Sequence, residues 1–66
     1  MSFDLARARV NRGHSIRGLA REVGVSEPTI RRLERGEVVR PESAKPVADY
    51  FGVQVTDLMS VEREAA

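Results

Sequence analysis

Apolar side chains recur along the chain in short bursts at helical spacing, and a glycine closes four of the patterns. The clearest burst is Ile16, Leu19, Ala20 and Val23, at i, i+3, i+4 and i+7, which predicts an amphipathic helix from Ser15 to Gly24. Ser15 stands where an N-cap belongs, Gly18 occupies the place of a capping-box glutamate, and Gly24 can take the left-handed conformation that ends a helix. Only Val25 then separates this pattern from a second start signal. Ser26 caps, Glu27 complements the positive end of the helix dipole, and Pro28 falls in the first turn, where its missing N–H costs nothing. Ile30 and Leu33 point inward, Val25 and Ile30 have the spacing of a hydrophobic staple, and Gly36 ends the helix.

The flanking segments are also helical. A first helix is expected from Ser2, as N-cap, to Gly13, with Phe3, Leu5, Ala6 and Val10 in one arc of about 160°. After a loop at Glu37–Pro41, a fourth helix capped by Ser43 buries Ala44, Val47, Ala48 and Phe51. Pro46 is tolerated there as a first-turn residue, and Gly52 closes the helix. A short fifth helix starts near Thr56 and buries Val55, Leu58 and Met59. The polar tail from Val61 to Ala66 is expected to fray. The runs Val38-Val39 and Val53-Gln54-Val55 are too short to count as strands. The expectation is one compact, five-helix, all-α domain over residues 1–60.

Charge changes the picture in two ways. Arginine 9 lies inside the apolar arc of the first helix, where an unpaired guanidinium would cost several kcal/mol, of the order of 3–5. With Ile30 at 0° on a wheel of the third helix, Glu34 falls at about 40°, turned toward the core, and is the natural partner of Arg9. Pro28, Arg31, Arg32 and Arg35 fall between about 100° and about 200°, a face of three arginines and a proline. The formal net charge of +1 also hides an asymmetry. Residues 1–40 carry nine arginines against five acids, a balance of +4; residues 41–66 carry Lys45 and Arg63 against five acids, a balance of −3. A basic half is the footprint of a polyanion binder, although a genome rich in arginine codons would also raise the arginine count.

Composition narrows the classes that remain. Sixty-six residues hold one domain, and a chain without cysteine is not a disulfide-stapled scaffold. One histidine, His14, makes a structural zinc site a poor reading, so no metal or other cofactor is expected. No apolar run reaches the roughly 18–20 residues of a membrane span, and no signal-peptide layout precedes the domain, so the expected setting is cytoplasmic. The serines fall at caps, and His14 reads as a residue of the loop between the first two helices, neither ligand nor pH switch. No phosphate loop or paired-carboxylate site is visible, and no enzymatic activity is expected.

The helix, tight turn and helix from Ile16 to Arg35 resemble the helix-turn-helix of the lambda-repressor/Cro family, the XRE type. The resemblance runs from about Leu5 to Met59 and includes Leu19-Ala20, Gly24-Val25-Ser26, Ile30, Leu33-Glu34, Gly36, Arg40-Pro41 and Phe51-Gly52-Val53, with Leu58 beyond. It implies a transcriptional regulator, a repressor in the first instance, whose third helix enters the major groove of double-stranded DNA. Base readout would fall on Glu27, Pro28, Arg31 and Arg32, and phosphate contacts on Ser15, Arg17, Ser26, Arg35 and Arg40. The family commonly has an uncharged polar residue where this chain has Glu27 and Pro28, which moves discrimination onto Arg31 and Arg32 and toward guanine. The family also has a buried arginine–glutamate pair matching Arg9 and Glu34. The implied partner is a pseudo-palindromic operator, bound by a weak homodimer that is more stable on DNA, with no membrane or small-molecule ligand. The assignment of Arg7, Arg12 and Arg21 stays open between surface charge and DNA contact, and Tyr50 between core and interface rim. The rival class is a protein-interaction module or antitoxin component on the same fold. An apolar third-helix face would favour that rival; three arginines there favour DNA.

Overall fold

The computed structural model describes residues 3–59, which form five helices: α1 (Leu5–Asn11), α2 (Ile16–Val23), α3 (Glu27–Glu34), α4 (Pro41–Phe51) and α5 (Val55–Leu58). Met1, Ser2 and Ser60–Ala66 lie outside the described residues, and with them the expected cap at Ser2 and the expected fraying of the tail.

The α2–α3 unit forms for the reasons its sequence gives. Ser15 Oγ accepts from the Gly18 N–H at 2.9 Å, and Ser26 Oγ accepts from the Thr29 N–H at 3.4 Å. Each satisfies one of the orphan donors at a helix start. Between the helices Gly24 takes φ 79° and ψ 28°, and the N–H groups of Gly24 and Val25 both donate to the Ala20 carbonyl, at 2.8 and 3.1 Å. That left-handed residue turns the chain in two positions, so α3 crosses α2 closely over Ala20, which is 5% exposed.

Leu19 from α2, Ile30 from α3 and Val47 from α4 are fully buried side chains at the centre of the core. Leu5, Ala20, Leu33, Ala44, Ala48, Leu58 and Met59 complete it, and Phe3, Ile16, Val23, Val25, Phe51 and Val55 pack half-buried around it. Truncating Leu19 or Ile30 to alanine removes apolar surface from this centre and leaves a cavity, at about 2–5 kcal/mol each.

Four local expectations need correction. α1 begins at Leu5, because Asp4 caps it: its Oδ1 accepts from the Arg7 N–H at 3.1 Å. Val10 is 62% exposed. One turn on from Leu5 the inward stripe passes to Arg9, and Val10, about 100° further round the wheel, is carried out to solvent. α4 begins at Pro41, not after Ser43: the N–H groups of Ser43 and Ala44 already donate to the Arg40 carbonyl. A proline at the first helical position pre-sets the helical φ and pushes the preceding residue, Arg40, into extended backbone (φ −62°, ψ 136°). Pro46 is consequently the sixth helical residue and not a first-turn one. The Glu42 carbonyl loses its i+4 donor, which is tolerable because Glu42 is exposed and water can serve it. The start of α5, at Val55 beside Thr56, agrees with the expectation, and there the Gln54 N–H donates to Asp57 Oδ2 at 2.9 Å.

Candidate nucleic-acid interface

The solvent face of α3 is built by subtraction. Ile30 and Leu33 are drawn into the core, so Pro28, Arg31 and Arg32, with Arg35 at the C-cap, are left exposed on one side. At about 1.5 Å per residue the helix is about 12 Å long, comparable to the width of a DNA major groove. Glu27, at its first position, reaches one turn along to Arg31 at 3.6 Å. Arg35 pairs with Glu37 at 3.1 Å and Arg40 with Glu42 at 3.8 Å. All three pairs are solvent-exposed and worth about 0–1 kcal/mol each, so an incoming phosphate can replace the carboxylate at little cost. Arg32 on this face and Arg17 in the first turn of α2 are exposed and make no ion pair among the described residues. Glu37 and Glu42 thus join the site as counter-charges beyond the residues expected from the sequence. The signal was present, as Arg-x-Glu at 35–37 and again at 40–42.

Beneath that face, Arg9 meets Glu34. Arg9 Nε donates to Glu34 Oε2 at 2.5 Å and Nη2 to Oε1 at 3.4 Å, with both side chains 14% exposed. The same guanidinium donates through Nη1 to the His14 carbonyl at 2.8 Å. One side chain of α1 therefore ties the end of α3 to the turn that leads into α2. Because the guanidinium is a rigid planar fork, it sets the mutual placement of two elements as well as neutralising a charge.

Two more contacts hold the edges of the face. The Val39 N–H donates to the Met59 sulfur at 3.3 Å, pinning the α3–α4 loop to α5 just before Arg40. His14 Nε2 lies 2.7 Å from the Tyr50 hydroxyl, tying the start of α2 to α4. Ser15 and Ser26 are exposed at the helix starts, with the donors of each first turn beside them. The sequence-derived residues thus occupy the first turns of α2 and α3, the outer side of α3 and the junction with α4. Arg9 and Glu34 stand apart from them as a pair below the surface. Among the described residues no group of three or more His, Cys, Asp or Glu side chains is placed to hold a metal ion, and no helix is long and apolar enough to cross a membrane.

A five-helix core with a tight glycine turn between α2 and α3, and an arginine-bearing outer face on α3, define a helix-turn-helix domain of the lambda-repressor-like kind. The helix-turn-helix family profile matches residues 5–58, and the chain belongs to that family, in its Cro-like XRE type. It is similar to an HTH-type transcriptional regulator of Coxiella burnetii, 41% identical over 46 residues, which cover 67% of this chain and 21% of that protein. The chain therefore spans well under half of the curated relative it matches. No solved structure matches the chain significantly.

Proposed function

We propose that this chain is a sequence-specific double-stranded DNA-binding domain, residues 1–60, of a transcriptional regulator, in the first instance a repressor of the kind carried by phages and mobile elements. The supporting observation is the outer face of α3, where Arg31 and Arg32 are exposed on the helix that this fold lays in the major groove. Arg32 reads guanine through its bidentate fork, and Arg31 does so once Glu27 releases it. Glu27 accepts from a cytosine amino group or simply holds Arg31 until DNA arrives, and Pro28 offers apolar contact to a thymine methyl. Ser15, Arg17, Ser26, Arg35 and Arg40 take the phosphates and set the register. Two copies bind a pseudo-palindromic operator with half-sites about one helical turn apart, as a dimer that is weak until DNA joins it. The working place is the cytoplasm.

The test is selection of duplexes from a random library by the purified chain, followed by titration of the enriched and a scrambled duplex at two salt concentrations. The reading expects enrichment of a motif with G·C pairs and a steep loss of affinity with salt. Three arginines on phosphates in each copy give a log–log slope of about −3 per copy. Failure to enrich any sequence, together with equal binding of scrambled DNA, would favour the protein-interaction module.

A further inference from the structure

Of the two acids of α3, Glu34 is held inward by Arg9, whereas Glu27 lies toward the outer side, 3.6 Å from the Arg31 guanidinium one turn along. On the helix wheel Glu27 and Arg31 are about 40° apart, so the two side chains share one strip of the helix. Arg31 is the ion partner of Glu27 among the described residues. The hydroxyls at the same helix start are engaged with each other: Ser26 Oγ and Thr29 Oγ1 lie 2.9 Å apart, and Ser26 Oγ also accepts from the Thr29 N–H. Pro28, between them, has no polar side-chain group to offer. The other two carboxylates of the interface stand differently. Glu37 and Glu42 pair with Arg35 and Arg40, at the C-cap of α3 and the N-cap of α4, and both carboxylates are well exposed.

We propose that Glu27 is a specificity-determining residue acting through Arg31: it competes with DNA phosphates for the guanidinium and yields it to a matching base pair. This role rests on the DNA-binding reading above and adds to it a reason why a non-matching duplex is refused. Each exposed pair is weak in itself, so the difference lies in where the carboxylate is left once its arginine departs. Glu37 and Glu42 remain in water, and the phosphates that take Arg35 and Arg40 are the same on every duplex, so these pairs lower affinity for all sequences alike. Glu27, on the inserted helix, is enclosed by the groove. On a matching site guanine O6 and N7 accept from Arg31, and a cytosine amino group donates to the carboxylate left behind. On a non-matching site that carboxylate faces guanine or thymine acceptors, and moving Arg31 to a phosphate strands a charge without a donor. Arg31 then stays with Glu27 and adds nothing to non-specific binding.

The test is a double-mutant cycle on wild type, Glu27→Gln, Arg31→Ala and the double variant, with circular dichroism as the check that each is folded. Affinities for the enriched and scrambled duplexes are measured by fluorescence anisotropy at one salt concentration. Glu27→Gln should tighten binding to scrambled DNA by about two- to fivefold, the strength of an exposed pair, and change binding to the enriched duplex by less than about twofold. The ratio of the two affinities therefore falls. In the Arg31→Ala background the same substitution should shift that ratio by less than about twofold. Glu37→Gln, which alters net charge equally, is the control and should leave the ratio unchanged. Equal tightening on both duplexes by Glu27→Gln would overturn the role, and so would a fall in the ratio that persists undiminished without Arg31. A loss of affinity confined to the enriched duplex would also overturn it, by making Glu27 a plain base contact. Failure to enrich any sequence would instead overturn the DNA-binding reading beneath it.

Discussion

Replacing Glu34 by alanine removes the partner of a guanidinium that cannot follow it into water without leaving its post. Arg9 is 14% exposed on its side chain, gives Nε and Nη2 to Glu34, and gives Nη1 to the His14 carbonyl. Breaking one side of a buried pair costs about 3–5 kcal/mol, because the remaining charge stays desolvated. The residual exposure and the surviving hydrogen bond to His14 place this case at the lower end, near about 3 kcal/mol. For a chain of this length total stability is itself about 3–10 kcal/mol, so the loss removes roughly a third of it or more. Urea denaturation at neutral pH, with far-UV circular dichroism as the probe, measures the loss directly. Removing both charges as Arg9→Met with Glu34→Leu should restore most of it, since an apolar pair of similar volume is often neutral or stabilising. A loss below about 1 kcal/mol for Glu34→Ala would refute the reasoning, because it would mean that Arg9 reaches solvent on its own.

Three further outcomes follow from the same geometry. Gly24→Ala should cost about 1–2 kcal/mol in the same denaturation experiment, all of it backbone strain at φ 79°, since a Cβ there meets nothing within 4 Å. Glu37→Gln should tighten binding to enriched and scrambled duplexes alike by about two- to fivefold in a titration, because it frees Arg35 from an exposed pair 3.1 Å long. Val10→Ser should change urea stability by no more than about 0.5 kcal/mol, since that side chain is 62% exposed.

What was legible in the sequence was legible where a local rule acted alone. Ser15, Gly24 and Ser26 each carry a cap or a turn within three residues of themselves, and α2 and α3 fall where those residues put them. The inward position of Glu34 followed from the wheel of α3, and the carboxylate lies against Arg9. Errors arose where two signals competed at close range. Asp4 and Ser2 are both good caps, and Pro41 outranks Ser43 because a proline restrains the residue before it as well as itself. Val10 lies outside the buried face because the paired Arg9 occupies the middle of the apolar arc. The His14–Tyr50 contact joins residues 36 apart, and no spacing rule reaches across that interval.

The central claim is that α3 reads bases through Arg32. Its most direct test is the ratio of affinities for the enriched and scrambled duplexes, compared between wild type and Arg32→Ala. The account predicts that the ratio collapses, by about 1–3 kcal/mol of lost discrimination per half-site, while affinity for scrambled DNA changes far less. An unchanged ratio in a folded Arg32→Ala protein would contradict it.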